Sequence, residues 1–511
     1  MSRPADNWLA SMRTPRRLPI ATVLALCGAL AACARPTGAP APPRAALPNP
    51  ELTAQVDRIF REHDSTHSPG CAVAIVEDGR MVFARGYGLA DLDHRVPLRP
   101  RSVFRIASVS KQFTAAAIRL LDREGALSLD DDIRTLLPEL PDFGHRITIR
   151  DLIHHTSGLR DYLVLLTLMG RGFDDAITEA DILALLSRQE SLNFPPGERF
   201  LYTNTGYVLL AQIVERAAGE PLRRYARRSL FDPLGMYQTQ FHDDVHAVVP
   251  ERARGYAERG PREYVERVTR VSVVGDGGVF SSVEDLALWE SAFVGPIPPR
   301  GDHRRDLVLF LREGMIAPGY TAGGQPVNYG FGIYHGRLGR FETLEHSGSF
   351  GGYETNVIRV PARRAAFIVF CNVSTADPIR LSREVAGVFL GRSAVSARDT
   401  LRSTSRNAAT TSGDYQPDSA TLDEHVGDYW SSELHVTYRI RRISDYLRLE
   451  EPERLVSALR PVERDVYRLG GITFRFERDD AGMVQRLWID AGRALNVRFD
   501  RVGSAGDKTD R

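Results

Sequence analysis

The sequence predicts an α/β or α+β unit, helices packed on a sheet, followed by a small all-β domain. Three observations carry this expectation. Strand-like apolar runs at residues 71–76 and 365–373 bracket a long stretch of helical periodicity. Residues 393–419 then turn to Ser, Thr, Ala and Asp. Beyond them the chain alternates polar with apolar over short segments and has almost no helical period. At 511 residues there is length for two or more domains and a sizeable core.

Taken in order, residues 1–32 read as an export leader. Arg13, Arg16 and Arg17 precede an apolar run over 18–32 that is too short to span a bilayer as a permanent helix. The run closes on Leu30, Ala31, Ala32 and Cys33, and small residues just before a Cys resemble the lipobox of bacterial lipoproteins. That resemblance implies lipidation of Cys33, which would become the first mature residue; an ordinary leader with a chance Cys is the alternative. Residues 33–49, rich in Pro and Ala, suit a stiff tether. The expected location is therefore the cell envelope, exported and lipid-anchored on the periplasmic face. The outer membrane is favoured because Ala34 supplies no acidic retention signal.

The first domain is expected over 50–392. Leu52, Val56, Ile59 and Phe60 mark an amphipathic helix, and Asp78-Gly79 between two strand-like runs signals a tight hairpin. A helix runs over 108–124 and stops at Gly125. Others fall near 181–188, 207–218 and 282–294, the last opening with Ser282 and Asp285 in capping-box spacing. Strands return at 355–360 and 365–373, and a helix at 379–390 closes the domain. After the linker at 393–419 a β domain is expected over 420–505. Its alternating segments are 434–440, 446–449, 472–476 and 484–489.

Composition excludes several functions. With 66 basic and 65 acidic residues the formal charge is +1, so no basic field exists for nucleic acid. Residues 1–32 carry four Arg and one Asp, so their removal leaves about −2 and no polybasic anchor. Cys27 sits in the leader, which leaves Cys71 and Cys371, each in an apolar run. An exported chain permits a disulfide between them, while their surroundings favour two buried thiols packed as small hydrophobes. There is no CxxC and no zinc-type spacing. His63 and His67 are four apart, but Asp64, Ser65, Thr66 and Pro69 read as a helix ending, so both are expected at the surface. No metal or cofactor is expected.

One count directs attention to a site. Lys occurs only at Lys111 and Lys508, so the chain uses Arg nearly everywhere a cation is wanted. Ser108 and Lys111 form S-x-x-K, three apart at the start of a helix, where the hydroxyl and the amine share a face. A desolvated ammonium can lose its proton near neutral pH and then accept one from Ser; Arg cannot. With two Lys, the chance expectation of S-x-x-K is roughly 0.1. Ile106, Phe113, Ala116 and Ala117 argue for a buried setting rather than a solvated Lys. Farther on, Tyr202-Thr203-Asn204 precedes an apolar helix. A Tyr beside a charged Lys can have its pKa lowered enough to shuttle a proton, and an Asn carboxamide can bind a peptide-like substrate. His346-Ser347-Gly348-Ser349 precedes a strand. Gly348 allows close approach of backbone to ligand, and a free N–H near Ser349 could serve an oxyanion.

Ser-x-x-Lys, Tyr-x-Asn and His-x-Gly in this order resemble the penicillin-recognising serine hydrolases: class C β-lactamases, D-alanyl-D-alanine carboxypeptidases, D-aminopeptidases and related esterases. His155-Thr156-Ser157-Gly158-Leu159, Pro196-Gly197, Pro233-Leu234-Gly235-Met236 and Gly275-Asp276-Gly277-Gly278 match as well, over about 50–392. The resemblance implies an antiparallel sheet sandwiched by helices. It implies that Ser108 is acylated, that Lys111 and Tyr202 manage its proton, that Asn204 binds the substrate amide and that the N–H groups of Ser108 and Ser349 hold the oxyanion. The C-terminal domain is similar to small β-barrel modules appended to some of these hydrolases. Where β-lactamases carry Lys-Thr-Gly, this chain has His346-Ser347-Gly348. A mostly neutral His is a poorer carboxylate anchor, which tilts the expectation from β-lactamase toward a peptidase or esterase. The expected partner is a small peptide, ester or β-lactam, together with the membrane through the lipid. A non-catalytic envelope protein that binds cell-wall peptides or β-lactams is the rival from another class. No G-x-S-x-G elbow occurs, and His154 and His155 read as a structural turn rather than part of a triad.

Overall fold

The computed structural model describes residues 49–391 and 415–503. The expected leader, the lipidation site Cys33, nearly all of the tether and most of the linker at 393–419 lie outside the described residues. Pro50 presets the first turn of α1 (Pro50–Ile59), and Asn49 caps it by accepting from the Glu51 N–H at 2.9 Å. Next come β1 (Cys71–Glu77) and β2 (Arg80–Tyr87), joined at Asp78 and Gly79, which both take positive φ as a two-residue hairpin requires.

The chain then builds α2 (Lys111–Arg123), α3 (Tyr162–Leu168), α4 (Glu179–Leu186), α5 (Asn204–Ala218) and α6 (Val283–Val294). Ser282 caps α6 through the Asp285 N–H. It returns as β3 (Tyr334–Leu338), β4 (Phe341–Phe350), β5 (Tyr353–Val360), β6 (Ala365–Cys371) and α7 (Pro378–Leu390). These strands form one antiparallel sheet in the order β3-β4-β5-β6-β1-β2.

Helices cover both faces of that sheet. Along β1, Val73 and Ile75 join residues of α1 and α7 in one core, while Ala72, Ala74 and Val76 join α2, α5 and α6 in the other. Burial on both sides is why the strand reads as an unbroken apolar run. The same register corrects the expectation of two free thiols. Cys71 and Cys371 are direct cross-strand partners with Cα atoms 4.0 Å apart, and they form a disulfide. Their separation of 300 residues hid a contact that only strand pairing creates.

After α8 (Ser419–His425) come eight strands: β7 (Gly427–Ser431), β8 (Val436–Ile443), β9 (Tyr446–Glu451), β10 (Ser457–Glu463), β11 (Val466–Leu469), β12 (Ile472–Arg478), β13 (Val484–Ala491) and β14 (Ala494–Arg501). They pair in sequence order, and β7 closes onto β14 as an up-and-down barrel. Inward side chains such as Tyr429, Tyr438, Leu447, Phe474 and Phe499 are fully buried and fill it.

Arg160 ties the barrel to the helices. Its Nε donates to the Leu495 carbonyl, Nη2 to Ser191 and the Asn496 carbonyl, and Nη1 to Gln189 and the Glu433 carboxylate, so all five donors are spent. The Arg160 and Glu433 side chains are 0% and 1% exposed. Removing one partner strands a buried charge, so Glu433→Ala is expected to lose about 3–5 kcal/mol in urea unfolding. Glu384→Ala, which breaks the exposed Arg380–Glu384 pair, should change stability by no more than about 0.5 kcal/mol. Equal, small effects of the two would contradict this docking account.

Candidate active site

The S-x-x-K residues straddle two kinds of helix. Ala107, at φ 47°, turns the chain into a 3₁₀ segment (Ala107–Ser110), and α2 begins at Lys111. In a 3₁₀ turn residues three apart eclipse one another, which stacks Ser108 on Lys111. The Lys111 Nζ lies 3.2 Å from the Ser108 Oγ, 2.8 Å from the Asn204 Oδ1 and 2.7 Å from the Asp276 carbonyl oxygen. The last two can only accept. When the amine loses its proton, these two acceptors keep its N–H bonds and the lone pair is left to face the Ser108 hydroxyl.

Lys111 is 0% exposed. Burial pulls its pKa down to about 8, opposed by the nearby carboxylates of Asp276 and Asp161 and aided by Arg493. Gly275, at φ 106°, makes the approach of Asp276 possible: a Cβ there would lie 2.3 Å from the Tyr207 carbonyl oxygen.

Asn204 opens α5, and Asp161 fixes its orientation. One oxygen of Asp161 caps α3 through the N–H groups of Leu163 and Val164. The other accepts from the Asn204 N–H at 2.6 Å and its Nδ2 at 3.0 Å. With Oδ1 on Lys111 and one Nδ2 hydrogen on Asp161, a single amide hydrogen of Asn204 remains for the cavity that it lines.

Tyr202 departs from the expectation. Its hydroxyl is hydrogen-bonded to the Ser108 side chain, but burial pushes its pKa well above that of a free phenol. A phenol stripped of solvent cannot carry charge cheaply, so Tyr202 is a protonated donor rather than a phenolate base. His155 brackets it from below, its carbonyl accepting the Leu201 N–H at 2.9 Å and its Nδ1 the Thr203 N–H at 3.2 Å. Thus the turn reading of this His agrees with its contacts.

His346 lines the cavity with both nitrogens engaged. Its Nδ1–H donates to the Ser347 carbonyl at 2.7 Å, and its Nε2 accepts from the Tyr329 hydroxyl at 3.0 Å. Burial lowers its pKa to about 3, so it is neutral and braces the wall.

Gly348 lies so close to the 3₁₀ turn that a Cβ would meet the Ile106 carbonyl oxygen at 2.4 Å. Phe350 and Tyr353 close the two-residue turn at Gly351-Gly352, so Ser349, opposite Glu354, belongs to the pair that does not exchange hydrogen bonds. Its N–H therefore points away from β5. β3 pairs only as far as Glu345, so this edge of β4 is open and faces the turn that carries Ser108.

These residues surround a cavity of about 350 Å³ that also meets Arg105, Tyr162, Tyr334, Phe350 and Arg493. Sequence reading missed Asp161, Arg105 and Arg493. Asp161 left a faint signal as an N-cap before an apolar run. Arg493, at the tip of the β13–β14 turn, left none. It reaches from the barrel to within 3.3 Å of Asp161 and 5.7 Å of the Tyr202 ring centre.

With the Lys111 amine at a midpoint of about 8, any step that draws on its uncharged form is expected to rise about tenfold per pH unit and to level off above that midpoint. His155 and His346 are already neutral there and add no further limb. A pre-steady-state rate that stays flat between about pH 6 and pH 9 would contradict this assignment.

A model of the beta-lactamase family matches residues 56–388. The D-aminopeptidase of Gluconobacter oxydans is 27% identical over 324 residues, 63% of this chain; the chain thus spans 59% of that relative's length. Penicillin-binding protein 4* of Bacillus subtilis is 30% identical over 332 residues, 61% of this chain and 70% of that protein. Among solved structures, the octameric penicillin-binding protein homologue from Pyrococcus abyssi superposes with a TM-score of 0.57 at 23% identity, covering 88% of this chain and 99% of that one. The D-amino acid amidase of Ochrobactrum anthropi SV3 gives 0.52 at 23% identity over 67% and 99%. These structural likenesses establish the fold, and the first is long enough to include the barrel.

Proposed function

The chain belongs to the serine β-lactamase and penicillin-binding family, and from that premise we propose that it hydrolyses an amide, with a D-amino-acid or cell-wall peptide as substrate, through an acyl-enzyme on Ser108. One observation carries the reading: the only Lys among the described residues is buried, its Nζ within hydrogen-bond distance of two carbonyl-type acceptors and of the Ser108 Oγ.

The steps follow from that arrangement. Lys111 takes the Ser108 proton as Oγ attacks the carbonyl carbon, and the developing oxyanion settles between the N–H groups of Ser108 and Ser349. The C–N bond then breaks. Tyr202 gives its proton to the departing amine and recovers one from Lys111, whose restored lone pair next activates the water that frees the acid. Asn204 offers its remaining amide hydrogen to the substrate carbonyl.

The peptidase reading is supported by the D-aminopeptidase relatives and by His346, which supplies no cation where a β-lactamase has Lys. The leader motif at Cys33 supports placing the enzyme at the cell envelope. An esterase is served by the same steps, and a pure binding protein would have no use for a neutral Lys111.

Mass spectrometry with a fluorophosphonate probe tests the chemistry. Ser108→Ala is expected to abolish the adduct, and Lys111→Arg, which fixes a cation that cannot accept a proton, to lower kcat/KM about a thousandfold or more. A Ser108→Ala protein that labels as fast as the parent would end the proposal. D-aminoacyl anilides, aryl esters and a cephalosporin, compared by kcat/KM, sort the substrate classes, with the anilides expected to lead.

A further inference from the structure

Three arginines are buried among the described residues: Arg105, Arg160 and Arg359, at 6%, 2% and 2% exposure. Two have a carboxylate at ion-pair distance. Arg160 meets Glu433, and Arg359 holds both oxygens of Glu290 at 2.7 and 2.9 Å. Arg105 has none. Among the described residues its one hydrogen bond runs from Nη1 to the Thr269 hydroxyl at 3.2 Å, and its Nε, shut off from solvent, has no partner there. The guanidinium lies 4.3 Å from the Phe350 ring centre, which orients its plane but neutralises nothing.

The Asp276 carboxylate acts on Arg105 through space but forms no ion pair or hydrogen bond with it. Its Oδ2 accepts from the Tyr162 hydroxyl at 3.1 Å and its carbonyl from Lys111. A buried cation without a counter-ion is unfavourable in a folded chain unless something else supplies the charge. Arg105 also lines the same cavity as Ser108.

Arg105 and Arg493 stand on different walls. Arg493 belongs with Tyr202 and Tyr334, which stack on each other, and is paired with Asp161. Arg105 belongs with Phe350, Thr269 and Asp276, and of the two only Arg105 has no carboxylate at ion-pair distance among the described residues.

From this we propose that Arg105 is a specificity-determining residue: it binds a carboxylate carried on the acyl part of the substrate, so the enzyme favours acidic acyl groups. The inference rests on Ser108 acylation being correct. It adds a requirement that the acyl-enzyme chemistry alone does not make.

Two aryl esters that differ in one group test it, the p-nitrophenyl esters of 4-carboxyphenylacetic acid and 4-carbamoylphenylacetic acid. The parent enzyme is expected to prefer the carboxyl ester about thirtyfold or more in kcat/KM, and Arg105→Gln to bring that ratio near one, with Arg105→Lys between. No preference in the parent, or a preference that survives Arg105→Gln, would overturn the proposal. If neither ester is turned over, the acylation reading fails. Calorimetric titration of the Ser108→Ala protein with the corresponding anilides then reads Arg105 by itself. Tighter binding of the carboxyl anilide, lost in Ser108→Ala/Arg105→Gln, supports it, and equal binding of the two anilides refutes it.

Discussion

An amine with no access to water sets the terms for the rest of this molecule. Burying Lys111 lowers the cost of its uncharged form, but burial alone would give an inert side chain. What suits the amine to the role of base proposed for it is the direction in which its lone pair is left on deprotonation. Two acceptors that cannot donate, the Asn204 amide oxygen and the Asp276 carbonyl, occupy its N–H bonds, and the Ser108 hydroxyl takes the remaining position. Most of the structure around the cleft serves to keep these three atoms where they are. The 3₁₀ turn stacks Ser108 on the amine, Gly275 lets the Asp276 loop reach it, and the Thr114 hydroxyl fastens α2 to the Gly275 carbonyl at 2.8 Å.

The barrel takes part in this positioning. Arg160 and Asp161 are neighbours in the chain, and each faces a different task. Arg160 spends all its donors on the barrel and on the loop that follows α4. Asp161 gives its N–H to the Arg493 carbonyl at 3.1 Å and its carboxylate to Asn204, which holds Lys111. Four contacts therefore connect the β13–β14 turn to the amine. A domain that sequence alone marked as an appendage supplies part of the wall of the cleft.

How much of this was legible before the structure depended on the range of the interaction. The hairpin at Asp78-Gly79, the cap at Ser282 and the stop at Gly125 are set by residues a few positions apart, and they are where the local chemistry placed them. The Ser108–Lys111 spacing was legible for the same reason, and the scarcity of Lys made it conspicuous. Contacts set by pairing were not. The Cys71–Cys371 bond and the reach of Arg493 depend on strand register and on how the barrel seats, which no spacing encodes. The pKa of Tyr202 failed for a further reason. Burial raises the phenol well above its ordinary value and outweighs the hydrogen bond and the cation that pull it down.

The central claim is that burial brings the Lys111 amine to a midpoint of about 8, low enough for its uncharged form to take a proton, and the composition makes a direct test practical. Only two Lys are present, so protein labelled with ¹³C at the Lys Cε shows two resonances, from Lys111 and Lys508. One is expected to titrate with a midpoint of about 8 and to lose that behaviour in Lys111→Arg. If both signals move together near about 10.4, the amine is charged when the enzyme works, and the base assigned here is wrong.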